Sequence, residues 1–410
     1  MVGGSDNVVD GTTSSAAWHG IVMFITELWR IQVPPMVKTG LVGYQIYFFV
    51  TYSHFFHQRK QVGLASCQRD GRTYGLLSPV FIFVIPLRLT GNYMNKVNCF
   101  IDYVNWVLAH RDGFAIEKCN LSCYTLHASA HLYSWTCAVI ACMVQELTVK
   151  SELFRVGQLP WCLLTCKTLV VLKIHGRFVL NFPTFICLPR LKFLYLNSVI
   201  YGDDASMQKL FSSCPVLEDL VIKRHDWDGV GIMNIFVPSL KRLSIFSLSL
   251  RSIGNYEYKS LRNIVPILPT FHNLTHLKLG IDDNVGWELL PNILQSSPNL
   301  KVLNFKEGLV KPFNKGTFQF SWNPPRCVPY CLLLHLKTIE IHNFLGTPDG
   351  VKLVKYLLRH AKVLALMTIY WYDLMMDSKS QTTMKKTKVD ISKSPRGSHT
   401  CQLIFHHLMY

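Results

Sequence analysis

Apolar residues between positions 96 and 375 recur as a triplet, at n, n+3 and n+5. It occurs at Val144, Leu147, Val149; Leu169, Leu172, Ile174; Leu191, Leu194, Leu196; and Leu217, Leu220, Ile222. It continues at Leu240, Leu243, Ile245; Leu274, Leu277, Leu279; Leu300, Leu303, Phe305; and Leu336, Ile339, Ile341. Weaker copies stand at Ile116, Cys119, Leu121 and at Leu364, Met367, Ile369. Successive starts lie 28, 25, 22, 26, 23, 34, 26, 36 and 28 residues apart. Positions n+3 and n+5 point the same way from a strand, because side chains alternate across it. One such strand cannot bury its apolar face alone, so the pattern predicts stacked parallel strands that share one core.

A triplet of this form at a period of about 20–29 residues is the leucine-rich-repeat signature. The expected fold class is therefore α/β: a solenoid of parallel strands with helical or irregular connectors. The gaps of 34 and 36 predict loop insertions at about 246–273 and 306–335. Asp203 to Ser213 has Met207, Leu210 and Phe211 at helical spacing and stops before Cys214-Pro215, where proline cannot continue a helix interior. Trp287 to Leu294 is a weaker helix candidate, since Pro291 is expected in the first turn of any helix there. Near the C-terminus, Thr347-Pro348-Asp349 offers an N-cap, a first-turn proline and a first-turn acid. Val351, Leu353, Val354, Leu357 and Leu358 then make one apolar face.

The strand positions opposite the core are n+2, n+4 and n+6. They carry Lys150, Lys173, His175, Lys223, Arg242, Lys278 and Lys306, with Phe193, Tyr195, Phe246 and Tyr370 among them; Glu146, Asp219 and Glu340 oppose this charge. Aromatic and Arg side chains dominate interface hot spots, so Lys173, Phe193, Tyr195, Lys223, Arg242, Phe246 and Lys278 are candidate partner-binding residues. The competing reading is that a solvated sheet face is polar anyway.

Several segments resemble plant F-box/leucine-rich-repeat proteins with a C-terminal FBD domain. They are CKTLVVLKIHG (Cys166 to Gly176), LPRLKFLYLNSVIYGDD (Leu188 to Asp204) and SSCPVLEDLVI (Ser212 to Ile222). Val328 to Trp371 is similar to the FBD core of strand, glycine-containing turn, amphipathic helix and strand, and PRGSHTCQLIF (Pro395 to Phe405) to its closing strand. The resemblance implies a repeat region at 96–325 and an FBD cap at 326–406. It also implies a role in substrate recognition for an SCF-type ubiquitin ligase. The F-box that docks the Skp adaptor in this family has no credible copy in residues 1–95; Phe24 to Arg30 is a vague echo. Phe100 to Asp112 looks like the segment that normally follows the F-box. Partnership with the Skp adaptor and cullin is expected only if an F-box is present. The alternatives are a repeat protein that binds proteins without ligase coupling, or a membrane-anchored repeat protein.

The anchored reading rests on Thr39 to Gln58, twenty residues without Lys, Arg, Asp or Glu. That length suits a span, but Gln45, His54, His57 and Gln58 lie inside it. Val80 to Ile85 is apolar but bracketed by Pro79 and Pro86, and too short to span. The net charge of +17 is spread along the chain without a block of five like charges. Such a balance speaks to solubility and diffuse attraction to polyanions, and gives no reason to expect nucleic-acid reading.

The thirteen cysteines include no C-x-x-C pair, the commonest zinc spacing. The N-terminus lacks a basic flank leading into an apolar core, so reduced thiols in the cytoplasm or nucleus are expected. Motifs for phosphate, dinucleotide, zinc-protease or serine-hydrolase chemistry do not occur. His272 and His276 fall on a strand, where four residues span about 13 Å, too far for easy shared ligation. No catalytic residue, metal or cofactor is expected.

Overall fold

The computed structural model describes residues 80–408, except 86–92, 111–114, 152–155, 181, 226–227, 229–234, 249–268, 281–285, 307–321, 323 and 373–377. The chain divides into two compact units, Met1–Ile82 and Phe83–Tyr410. The span candidate Thr39–Gln58, the Phe24–Arg30 segment and most of both expected insertions lie outside the described residues. Among the described residues, no helix is long and apolar enough to cross a membrane. The apolar segment between Pro79 and Pro86 forms a strand, β1 (Val80–Ile85).

The elements after it run α1 (Tyr93–Ala109), β2 (Lys118–Cys123), α2 (Leu126–Ser129), α3 (Leu132–Ala141), β3 (Glu146–Ser151) and β4 (Gly157–Leu159). A short 3-10 turn at Trp161–Thr165 leads to β5 (Val171–His175), β6 (Phe178–Leu180), β7 (Phe193–Asn197), α4 (Asp204–Ser212), β8 (Asp219–His225) and β9 (Arg242–Leu248). Then come β10 (His276–Gly280), α5 (Gly286–Gln295), β11 (Val302–Phe305), α6 (Tyr330–Leu334), β12 (Thr338–Phe344), α7 (Pro348–His360), β13 (Leu366–Tyr372), α8 (Ser378–Ser392) and β14 (Gln402–Leu408).

Among the described residues, twelve strands form one sheet in chain order, and β4 and β6 form a separate two-stranded parallel ladder. From β2 to β14 each neighbour is parallel. The triplet sets the register. Leu147, Leu172, Leu194, Leu220, Leu243, Leu277, Leu303, Ile339 and Met367 face one another at n+3. The n residues Ile116, Val144, Leu169, Leu191, Leu217, Leu240, Leu274, Leu300, Leu336 and Leu364 are all 0% exposed. Burying a leucine side chain is worth about 1.5–3 kcal/mol, so these rows supply much of what holds the repeats together.

Backbone bonding repeats with the same period. The carbonyl at n+1 accepts from the amides at n+1 and n+2 of the next repeat, as in Val170 and Val171 to Gln145 (2.8 and 3.0 Å) and Lys337 and Thr338 to Lys301 (2.9 and 3.1 Å). Before five of the strands a turn closes from the amide at n to the carbonyl at n−3, Leu274 to Phe271 among them. Leu191 bonds Leu188, Leu217 bonds Cys214, Leu240 bonds Val237 and Leu300 bonds Ser297. Pro189, Pro215, Pro238 and Pro298 hold the second turn position, where the fixed proline φ fits. At four repeats a polar residue at n−1 ties the strand entry to the preceding repeat: Thr168 Oγ1 donates to Val144 O, Ser239 Oγ to Leu217 O, Asn273 Nδ2 to Pro238 O and Asn299 Nδ2 to His272 O.

Two helices form as their sequences dictate. Asp203 caps α4 by accepting from the Ser206 amide at 2.6 Å, and Met207, Leu210 and Phe211 are its buried face. Thr347 caps α7 by accepting from the Gly350 amide at 3.3 Å, with Pro348 in the first turn and Leu353, Val354, Leu357 and Leu358 buried. The α5 segment corrects the expectation for Pro291. The helix starts at Gly286, so Pro291 sits past the first turn, inside the helix. Its missing N–H forgoes one intrahelical bond. Leu290, Ile293 and Leu294, all buried beside it, hold the segment helical through packing.

Gly176 and Gly346 are two glycines that the fold requires. Gly176 has φ +134°, and a Cβ there would meet the Ser151 carbonyl oxygen at 2.2 Å, so only glycine lets β5 leave the sheet so close to β3. Gly346 has φ +68°, and a Cβ would touch the Trp371 ring at 2.9 Å. It turns the chain between β12 and α7. Just before it, a bulge between Ile341 and Phe344 with Asn343 at φ 52° returns Phe344 to the core.

Candidate partner-binding face

Parallel register turns the outward positions into three rows across the sheet. In the n+2 row, acid and base sit opposite each other on adjacent strands and neutralise. Lys118 Nζ is 2.8 Å from Glu146 Oε2. Arg242 ion-pairs with Asp219. The hydrogen bond it donates to Asp219 raises the Arg242 pKa above its ordinary value. Just ahead of the strands, Lys241 Nζ bonds Glu218 Oε2 at 3.0 Å, which holds the Glu218 carboxyl below its usual range.

The n+4 and n+6 rows differ. Lys173 Nζ lies 5.3 Å from the Phe193 ring centroid. Lys223 Nζ lies between two rings, 5.9 Å from Tyr195 and 5.4 Å from Phe246. Lys306 Nζ comes within 5.8 Å of Phe246. These are cation–π distances. Asn197 organises the rings next to them. Its Nδ2 is 3.1 Å from His175 Nδ1 and 3.4 Å from the Tyr195 hydroxyl, while its Oδ1 accepts from Ser198 Oγ at 2.9 Å.

The seven candidates therefore do not behave alike. Lys173 and Arg242 are exposed, and Phe193, Tyr195, Lys223 and Lys278 are half-buried. Phe246, expected on the solvated face, is only 3% exposed. It stands opposite Gly280 in β10, and the missing side chain there lets Lys306, one strand further on, reach its ring. Ile245, expected in the core row, is half-buried instead. Lys278 lies in register between Ser244 and Asn304. The face brings together Lys173 with Phe193, and Tyr195, Lys223, Phe246 and Lys306; it sets Arg242 apart on Asp219.

Further along, three rings stack across β12, β13 and β14. His342 and Tyr370 are 4.4 Å apart with an interplanar angle of 8°, and Tyr370 and His406 are 5.0 Å apart at 18°. Glu340 accepts from Asn304 Nδ2 and lies 3.6 Å from His342 Nε2. Sequence reasoning reached Tyr370 but missed the histidines, because their stacking depends on the register at the β12 bulge.

Sequence reasoning also missed Arg224 and Asp228. Both are buried, joined by Nε–Oδ2 at 2.5 Å and Nη2–Oδ1 at 2.8 Å. Residues four apart on a strand are too distant to pair, but Asp228 lies beyond the end of β8 at His225. Asp228 also receives the Tyr201 amide through its carbonyl at 2.9 Å. Among the described residues, no group of three or more His, Cys, Asp or Glu could hold a metal ion.

A parallel sheet with one repeated pair of core positions and turn-closed entries defines a leucine-rich-repeat protein. Residues 132–265 match the family model described as FBD-associated F-box protein At5g56370, LRR repeats, and residues 323–369 match the FBD model. An F-box match is not among them. Putative F-box/FBD/LRR-repeat protein At5g62970 of Arabidopsis thaliana is 30% identical over 309 residues, covering 60% of this chain and 68% of its own length. F-box protein At4g09920 of the same plant is 33% identical over 264 residues, covering 60% and 78%. F-box/FBD/LRR-repeat protein At5g56420 is 27% identical over 387 residues, covering 78% and 88%. The chain belongs to this plant F-box/FBD/LRR-repeat family.

Proposed function

We propose that the chain is a non-catalytic protein-recognition module related to the substrate receptors of SCF-type ubiquitin ligases. Residues 96–325 form a leucine-rich-repeat solenoid, residues 326–406 close it as an FBD cap, and the outward face from β5 to β11 receives the target in the cytoplasm or nucleus. The observation that carries the reading is the clustering of Lys173, Phe193, Tyr195 and Lys223 on one face of the parallel sheet. Aromatic anchors among cations are what protein interfaces use at their centres, and family membership supports the same role.

The test is affinity capture from plant extract by the full chain and by a Phe193→Ala, Tyr195→Ala, Lys223→Glu variant of unchanged Tm. Loss of the wild-type partners from the variant is expected; recovery of the same partners by both contradicts the reading.

A second reading, a binding protein uncoupled from the ligase, is favoured by the family matches, which cover repeats and FBD. Titration of purified Skp adaptor against the full chain separates the two.

A further inference from the structure

We propose that Cys137 and Cys162 form a peroxide-sensitive thiol pair that closes to a disulfide and staples two neighbouring connectors of the sheet. This goes beyond target recognition and does not depend on which face of the sheet receives the partner.

The two sulfurs are 25 residues apart in sequence and meet only in the fold. Cys137 lies on α3, in the connector from β2 to β3; Cys162 lies in the 3-10 turn, in the connector from β3 to β5. Cys162 Sγ donates to Cys137 Sγ at 3.7 Å. A disulfide needs about 2.05 Å, so closure takes a movement of about 1.7 Å. Packing holds both elements in place. Trp135 and Val139 are buried on α3, and Trp135 Nε1 donates to Asn105 Oδ1 of α1 at 2.7 Å. Leu163 and Leu164 are buried in the turn, and the Leu164 carbonyl accepts from the Cys187 amide at 2.9 Å. The thiols are therefore presented to each other by ordered elements on both sides.

Both thiols are half-buried, so a small oxidant reaches them, whereas Cys123, Cys214 and Cys331 are buried. Burial first, and then the hydrogen bond to Cys137, pushes the Cys162 thiol up to about 12. Cys162 therefore keeps its proton, and Cys137 is the sulfur that attacks. The oxidant is hydrogen peroxide. The Cys137 thiolate attacks one peroxide oxygen and the O–O bond breaks. Hydroxide leaves with the electron pair and takes up the proton that the Cys137 thiol released, and Cys137 becomes a sulfenic acid. Cys162 Sγ then attacks the sulfenic sulfur. The S–S bond forms as the sulfenic hydroxyl and the Cys162 proton leave together as water. Two thiols and one peroxide thus give one disulfide and two waters. A thiol reductant reverses the bridge through a mixed disulfide. The closed loop carries β3 and β4, and cross-linking it restricts the unfolded chain. Stacked repeats lean only on their neighbours, so a staple between two connectors stabilises this end of the repeat sheet.

The test uses the full chain, reduced and then treated with hydrogen peroxide, read by mass spectrometry of a non-reducing digest and by Tm. The expected result is a cross-linked peptide joining Cys137 to Cys162 that dithiothreitol releases, with Tm raised by several degrees on oxidation. Cys137→Ser and Cys162→Ser should each abolish that rise. Cys166→Ser, which removes the neighbouring thiol four residues on, should keep it. A cross-link from Cys162 to Cys166, oxidation of Cys137 to sulfinic acid without a cross-link, or no reaction at either sulfur overturns the proposal. So does a bridge between Cys137 and Cys162 that leaves Tm unchanged, since it staples nothing. The peptide map of the wild-type chain decides the pairing even where a serine variant fails to fold.

Discussion

Asp219 and Arg242 face each other across β8 and β9 and pair, so an arginine that reads in sequence as a recognition cation is already neutralised by its neighbour. The Arg242 side chain is 57% exposed and the Asp219 side chain 15%, and pairs open to solvent on one side couple weakly, by about 0.2–1 kcal/mol. A double-mutant cycle with Asp219→Asn and Arg242→Gln should return a value in that range and shrink with salt. A coupling several times larger would mean the pair anchors the sheet.

The buried pair should behave differently. Arg224→Met leaves the Asp228 carboxylate buried beside Tyr201 without its charge partner, and should cost about 3–5 kcal/mol in denaturant unfolding. Adding Asp228→Leu should recover most of that loss. No recovery would show that the cost lies in packing rather than in the orphaned charge.

Core and cap make a matched pair of stability tests. Leu220 is 0% exposed in the n+3 row, so Leu220→Ala should destabilise by about 2–5 kcal/mol. Thr347→Ala removes the acceptor of the Gly350 amide and should cost about 1 kcal/mol. A Leu220→Ala loss no larger than the cap's would argue against a shared core row.

Stability should fall on mild acidification. Burial holds His276 below its ordinary pKa, with Arg242 adding to it. His360 is lowered first by burial, then by Arg359 and Lys362. When the folded pKa is the lower one, the unfolded chain binds more protons. The contribution is therefore present above about pH 6.5 and lost as pH drops through that value toward the folded pKa. Tm measured from about pH 7.5 down to 5.5 should fall, and His276→Asn with His360→Asn should flatten the fall. An unchanged slope in the double variant assigns the effect elsewhere.

Thiol reactivity should follow burial. Burial pushes Cys123, Cys214 and Cys331 up to about 12, while Cys327 is exposed. Thiolate is the reacting form. Iodoacetamide on the native chain should therefore label Cys327 well before those three, which should react only after unfolding. Equal labelling rates would contradict their placement in the repeat core.

How far the sequence carries depends on how local the signal is. The n, n+3, n+5 triplet specifies strand parity and register together, because a one-residue slip would expose every core leucine. Hence β2, from the weak copy at Ile116, and β13, from Leu364, form where the triplet places them. The Thr347 cap was legible for the same reason, since it acts on an amide three residues away. What escaped depends on contacts between repeats. Phe246 keeps its outward parity, yet its burial turns on Gly280 in the next strand and Lys306 beyond it. The Asp219–Arg242 pair links residues 23 apart in sequence, and the His342–Tyr370–His406 stack needs three strands and a bulge. Pro291 misled because its local cost is real and packing around Leu290, Ile293 and Leu294 outweighs it.

The claim that the outward face of the sheet receives the target is tested most directly by hydroxyl-radical footprinting of the full chain with and without its captured partner. Phe193 and Tyr195 report on that face; Trp161 and Phe185, 56% and 66% exposed, lie off the strands and serve as references. The account predicts that the partner protects Phe193 and Tyr195 and leaves Trp161 and Phe185 reactive. Protection of Trp161 and Phe185 with unchanged Phe193 and Tyr195 would contradict it.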